Sequence, residues 1–366
     1  EYGMSLDPVT SDYPCNPDTA LPVARNLNKM KNLKVYLKSY WIIVFFATLL
    51  VLVSITTPFF WSKYNLLGFM NLLFPFLCIS IGITIVMLVG EIDLSIGSNM
   101  ALASILVMVM FYGNYMLWTP EAGAQTQLSN VWNPVMPPFI IVGCILLLGF
   151  AIGAFIGFLH SYIGIQGFAA SLVVLYLIRG VAMCMTGGIP YHGDAGAGPL
   201  EKLAGKIGPV PMVVLLLIGL FLVFYVFLKY SPLGRAIYAA GGNPVTAELV
   251  GINVKLIKVM AYGISGLLAC FAGLWSTGYF GVGDARSFEG YELYAIGMAV
   301  MGGTTFRGGH GGIINAVGGT LVFSLLITWV DLLGISYYTQ TMFFGFLILF
   351  TLGLNRFTAE SAVIHK

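Results

Sequence analysis

"YNLLGFMNLLFPFLCISIGITIVMLVGEIDLSIGSNMALASILVMVMFYG", Tyr64–Gly113, carries charge only at Glu91 and Asp93, in a break between two apolar runs. About 20 helical residues span the ~30 Å hydrocarbon core of a bilayer, and the run before the break is long enough to do so. Further uncharged runs lie at Ser39–Ser62, Leu94–Pro120, Ile207–Leu228, Val259–Gly283, Gly308–Val330 and Leu332–Asn355. No single soluble core absorbs so many. The chain is 58% apolar and 9% charged, against roughly 25% charged in soluble domains. The fold class is therefore all-α: a polytopic membrane helical bundle with Gly-rich broken helices.

Ten crossings are expected, near residues 40–60, 67–89, 95–113, 138–159, 167–186, 210–229, 259–280, 291–303, 311–330 and 339–355. An even number places both termini on one side. Arg25, Lys29, Lys31, Lys34 and Lys38 precede the first span; Lys229, Arg235, Lys255 and Lys258 flank a central segment; Arg356 and Lys366 follow the last. Cytoplasmic loops collect Lys and Arg, so these regions are assigned inside, N-in and C-in. The expected organisation is a cytoplasmic tail (1–39), a transmembrane domain (40–356) with a cytoplasmic segment at 230–258, and a short cytoplasmic tail (357–366). The outer loops Gly113–Pro137 and Gly187–Pro211 form a vestibule, with Trp118 and Trp132 suited to the headgroup level.

The break "GEIDLSIG" admits two readings. A carboxylate within a span faces the bundle interior or a water-filled path. Alternatively Asp93 caps the helix that begins near Ser95. The preferred role is capping and gating, with Asp93, Ser95 and Gly97 beside the path. A second break, "GGTTFRGGHGG" (Gly302–Gly312), is too rich in glycine for a helix and too polar for lipid, and adds Thr304 and Arg307 to that candidate path or gate. The two breaks, within Met87–Val107 and Ala299–Val322, read either as an internal repeat of the transporter kind or as chance recurrence in a chain with 45 glycines. Arg179 is expected to snorkel or to pair with Asp331 or Glu292.

"GGNPVTAELVGINVKLIK", Gly241–Lys258, is too apolar for an ordinary loop. Asn243 is an N-cap, Pro244 takes the first helical position, and Gly251 ends a short helix that lies along the membrane. Gly242, Asn243, Pro244, Thr246, Ala247, Glu248 and Gly251 thus form a docking element whose small residues admit a partner's surface. The phosphate-loop pattern is missing: around Gly205-Lys206, Leu200 and Ile207 stand where Gly and a hydroxyl residue belong. The scattered histidines and five cysteines show no metal-ligand spacing, and "YHGD" (Tyr191–Asp194) reads as a solvated loop. No metal or cofactor is expected.

Taken together, "GEIDLSIGS", "GRAIYAAGGNPVTAELVGINVKLIK", "YGISGLLACFAGL" and "GYELYAIGMAVMGGTTFRGGHGGIINAVGGTLV" resemble the permease subunits of the ribose/galactose/xylose-type bacterial ABC sugar importers, over about Tyr40–Arg356. The resemblance implies a bacterial inner-membrane subunit that forms the path for a monosaccharide. It further implies a second permease copy, cytosolic ATPase subunits docked on Gly241–Gly251, and a periplasmic substrate-binding protein. Two departures bear on the cargo: Tyr294 stands at the family's acidic position, before Ile296-Gly297-Met298 in place of small residues, and Gly90-Glu91 replaces a Gly pair. A nucleoside or other small polar solute is the alternative cargo. An ion-coupled transporter or channel is the rival class, but it calls for a relay of titratable residues through the spans. No nucleophile–base constellation marks an enzyme, and nothing points to nucleic acid.

Overall fold

Ser62 starts the central helix of the bundle. Its side chain accepts from the Asn65 amide and caps α2, Lys63–Leu88, which is buried along most of its length. The computed structural model describes residues 42–112, 137–192, 210–336 and 338–346, with short pieces at 116–117, 126–127, 205–207, 349 and 353. Both expected tails, Trp118 and Trp132 lie outside the described residues. In order along the chain come α1 (Ile42–Thr56), α2, α3 (Ile96–Tyr112), α4 (Pro138–Phe158) continued by a π turn (Leu159–Ile163), and α5 (Gly167–Thr186). There follow α6 (Met212–Tyr230), α7 (Pro232–Gly242), α8 (Pro244–Leu249), α9 (Val254–Phe280), α10 (Tyr291–Met301), α11 (Ile313–Leu332) and a helical stretch at 338–346, α12.

Among the described residues, six helices are long and apolar enough to cross a membrane: α2, α4 with its π turn, α5, α6, α9 and α11. The shorter α1, α3, α10 and α12 fall on the remaining predicted crossings. The chain is a multi-pass membrane protein. α2 and α9 form the middle, with α3, α10 and α11 packed around them, while α4, α5 and α6 leave apolar faces outward for lipid.

Helices in lipid gain little from hiding apolar surface from one another, so close packing depends on small residues. The α4–α9 contact shows this. Gly149, Gly153 and Gly157 repeat every fourth residue on α4 and lie against Gly266, Gly263 and Val259 of α9; a β-carbon at Gly153 would strike the Tyr262 carbonyl. Aromatic rings fill the opposite side, where Phe76, Tyr291, Tyr294, Phe323 and Phe344 meet at centroid separations of 5.3–6.3 Å.

Two segments interrupt the helical pattern inside the bundle. Glu91–Ser95 has no regular structure and climbs along α9 before α3 begins. Its partners advance with it. Glu91 meets Lys258, Ile92 accepts from Tyr262, and Asp93 accepts from Ser265, a climb of about 10 Å at 1.5 Å per helical residue. From the other end, Gly281–Gly290 leads from the end of α9 back into the bundle before α10 begins. Val282–Gly283 pairs antiparallel with Tyr191–His192, which anchors the "YHGD" loop; Tyr191 is buried and its hydroxyl donates to Met185, so this part is structural rather than solvated. Asp194 lies outside the described residues.

Candidate functional site

The α7–α8 segment is built by caps. Ser231 accepts from the Gly234 amide at 2.9 Å and starts α7 with Pro232 in its first turn. Asn243 accepts from the Thr246 amide at 3.1 Å and starts α8 with Pro244. Gly251, at φ +86°, turns the chain, and Asn253 accepts from the Leu256 amide at 3.0 Å to start α9. Asn243, Pro244 and Gly251 thus occupy the cap, first-turn and terminating positions expected of them. Ala247 is buried against the bundle, whereas Val245, Leu249 and Val250 are 69%, 82% and 72% exposed. Gly242, Thr246 and Glu248 are exposed beside them. This small helix leaves an apolar edge exposed.

The second Gly-rich break closes directly on this segment. The Gly309 amide donates to the Leu88 carbonyl at 2.9 Å, and the Tyr238 hydroxyl of α7 donates to the Gly311 carbonyl at 3.0 Å. A β-carbon at Gly241 would collide with the Leu88 carbonyl, so only glycine admits this approach. Thr304 is buried within the loop and its hydroxyl has no partner among the described residues; Arg307 is exposed, and its carbonyl faces Gly90.

Asp93, Ser95 and Gly97 form a different cluster, deeper in the bundle. The fully buried Asp93 carboxylate accepts at Oδ1 from the Ser95 amide (2.9 Å) and hydroxyl (2.7 Å), and at Oδ2 from the Ser265 hydroxyl (2.7 Å). It holds Ser95, the residue before α3, and so fixes the start of that helix without bonding an amide of its first turn. Gly97 lies in the first turn of α3, where a β-carbon would meet Glu292 Oε2 and the Phe288 carbonyl, each at 2.5 Å. The N-terminal turns of α3 and α10 therefore meet inside the bundle, with the Glu292 carboxylate between two positive helix ends. Glu292 Oε2 has no hydrogen-bond partner among the described residues. Phe288, at φ +63°, holds a left-handed conformation that is unusual for a bulky residue, next to Gly290 at +82°.

Arg179 does not snorkel. It is 7% exposed, and its Nη1 donates to the carbonyls of Ala285 at 2.7 Å and Ser287 at 3.0 Å; Nη2 faces Gly97 beside Glu292, while Glu289 lies 3.8 Å from Nη1. Asp331 instead accepts from Gln340 at 2.7 Å. The guanidinium thus fastens the returning segment Gly281–Gly290, because irregular backbone at membrane depth survives only where protein groups satisfy it.

One cluster escaped the sequence reading. Glu91 Oε1 lies 2.6 Å from Lys258 Nζ and 2.8 Å from His160 Nε2, joining the first break, the start of α9 and the π turn of α4. Burial alone would push the Glu91 carboxyl up, but the hydrogen bonds from His160 and Lys258 outweigh it and hold it below the usual range. The readable signal was an acid just after one span and a base at the edge of another, at the same end of the bundle. Among the described residues no group of His, Cys, Asp and Glu could hold a metal ion, and Cys78, Cys144, Cys184 and Cys270 are free.

Residues 65–352 match a family described as branched-chain amino acid transport system / permease component. Among curated proteins, the chain is 34% identical over 312 residues to a ribose import permease protein of Bacillus subtilis, covering 84% of this chain and 89% of that protein. It is 32% identical over 299 residues to a ribose import permease protein of Haemophilus influenzae, covering 80% and 85%. A galactose/methyl galactoside import permease protein of Escherichia coli is 27% identical over 341 residues, covering 90% and 97%. No solved structure matches the chain.

Proposed function

From its membership of the branched-chain amino acid transport system / permease component family, we propose that this chain is the path-forming subunit of an ATP-driven importer that carries a monosaccharide across the bacterial inner membrane. The sugar class follows from the named cargoes of the relatives, ribose and galactose or methyl galactoside. ATP hydrolysis belongs to separate cytosolic subunits, and a periplasmic binding protein delivers the solute.

The observation that carries this reading is α8. A short helix, capped by Asn243, with an exposed apolar edge has the form of a docking element, and it sits where the Gly302–Gly312 loop reaches the chain at Leu88. In this reading Asn243–Gly251 couples to an ATPase groove. Thr304 and Arg307 lie at the cytoplasmic end of the gate, and Asp93, Ser95 and Gly97 line its interior beside Glu292. Among the described residues each chain offers one such docking element, so two copies pair to serve a two-site ATPase.

The test is uptake by proteoliposomes that hold the permease, its ATPase subunits and a sugar-loaded binding protein. Uptake should require internal ATP and survive an uncoupler. Uptake that collapses with the uncoupler and ignores ATP would transfer the protein to the ion-coupled class.

A further inference from the structure

Building on the reading of α8 as the ATPase dock, we propose that Lys258, Glu91 and His160 form an ionic latch. Through it, movement of α8 reaches the segment that starts α3, and protonation of His160 tightens it.

The connection begins at α8. Only Val250–Asn253 separates α8 from α9, and this link is stiff: the Ile252 amide donates to the Ala247 carbonyl at 3.0 Å, and Asn253 caps α9 through the Leu256 amide. A shift of α8 therefore moves the first turns of α9. Lys258 lies one turn into α9, and its ammonium donates to Glu91 Oε1 at 2.6 Å. Glu91 is the first residue of the irregular segment that holds Ile92 against Tyr262 and Asp93 against Ser95 and Ser265. The path from dock to the start of α3 thus passes through one carboxylate oxygen.

His160 supplies the control. Its Nδ1 lies 2.9 Å from the Ile165 carbonyl, which can only accept, so Nδ1 carries a proton. In the neutral ring Nε2 is then a lone pair. It can accept from Lys258 Nζ at 3.0 Å, but that single lone pair also lies 2.8 Å from the electron-rich Glu91 Oε1, to which it can donate nothing. In the protonated ring Nε2–H donates to that oxygen as a charge-assisted bond; the Lys258–His160 bond is lost, and the two cations are held together by the one Glu91 oxygen to which both now donate. The other titratable groups nearby are occupied. Tyr262 donates to Ile92, Asp93 is held by Ser95 and Ser265, and the Lys255 ammonium sits 5.7 Å above the Tyr162 ring. α5 faces Glu91 with Gly167, which brings no charge. Loss of that proton removes the His160–Glu91 bond, so the latch weakens as pH rises through the titration of the ring.

The experiment uses the full complex in nanodiscs and reads ATP hydrolysis with and without solute-loaded binding protein. Glu91→Gln and Lys258→Gln should each raise hydrolysis without solute by about fivefold or more, the lower end of usual coupling between linked sites. The exchanged pair, Glu91→Lys with Lys258→Glu, should restore most of the control. In the wild type the ratio of stimulated to unstimulated hydrolysis should fall from about pH 5 to 8, and His160→Gln should flatten that fall. Single variants that couple like the wild type, or an exchanged pair no better than either, overturn the latch. Should the single variants not fold, the wild-type ratio decides: a profile identical to that of His160→Gln overturns the proposal. If the wild type neither binds an ATPase nor shows ATP-dependent uptake, the reading of α8 fails instead.

Discussion

Asp93 Oδ2 accepts a hydrogen bond from the Ser265 hydroxyl at 2.7 Å, across 172 residues of chain. That bond joins the start of α3 to the middle of α9, where neither end touches water. Asp93→Ala strands the Ser265 hydroxyl and the Ser95 amide and should cost roughly 1–3 kcal/mol for each buried group left unpaired. Ser265→Ala strands a single oxygen, Asp93 Oδ2, and should cost roughly 1–3 kcal/mol, less than the several groups stranded by Asp93→Ala. Asp93→Glu keeps the charge but forces a methylene into a closed site, at about 1–3 kcal/mol. Thermal unfolding of purified protein in detergent ranks the three; a Ser265→Ala loss equal to that of Asp93→Ala would contradict the shared carboxylate.

Leu249→Asp and Val245→Asp change only exposed positions of α8, and surface changes of this kind stay within about 0.5 kcal/mol of stability. Both variants should melt like the wild type yet fail to retain ATPase subunits on co-purification. Ala247→Leu differs, because Ala247 is buried, and should cost about 1–3 kcal/mol by overpacking. A cysteine at Thr246 should react from the cytoplasmic side of inverted vesicles; labelling only from the periplasmic face of intact cells would reverse the topology.

Gly153→Val should abolish monodisperse protein, since its side chain would enter the Tyr262 backbone at the closest point of α4 and α9. The control is Gly143→Val on the same helix, where nothing lies within 4 Å. Size-exclusion profiles that matched for the two variants would deny the glycine contact its role.

Acid should loosen the Glu91 cluster in a definite direction. The folded-state Glu91 carboxyl titrates below its unfolded value of about 4.3, so its contribution to stability is fully present above that value. It is lost as pH falls through the lower, folded-state value. Glu91→Gln should accordingly flatten that part of the acid limb in a plot of melting temperature against pH. An unchanged slope in the variant would show that the acid loss arises elsewhere.

Much of this was legible from local chemistry. Uncharged runs marked the helices, and Asn243, Pro244 and Gly251 announced a short capped helix because capping depends on near neighbours alone. The spacing of Gly149, Gly153 and Gly157 also lay in plain view, but its partners on α9 did not. Long-range pairing was the obscure part. Lys258 reads as a basic flank, and nothing local ties it to an acid 167 residues earlier. Arg179 invited a carboxylate partner and has Glu289 at 3.8 Å and Glu292 nearby, yet its hydrogen bonds go to carbonyls, because the need of an irregular segment for donors becomes visible only once that segment is seen to turn inward. α10, with 11 residues, is short for a span for the same reason: Gly281–Gly290 has already entered the bundle before the helix begins.

That inward turn sets a limit on sequence drift. In Glu91–Ser95 and Gly281–Gly290 the main chain is held by the side chains of Ser171, Tyr262 and Arg179, which reach it from two other helices. Hydrocarbon offers no water to stand in for a lost partner. A saturation library should therefore find the outward faces of α4, α5 and α6 interchangeable among apolar residues of many shapes. At Ser171, Tyr262 and Arg179 it should find almost no freedom, although none of the three needs to touch a solute.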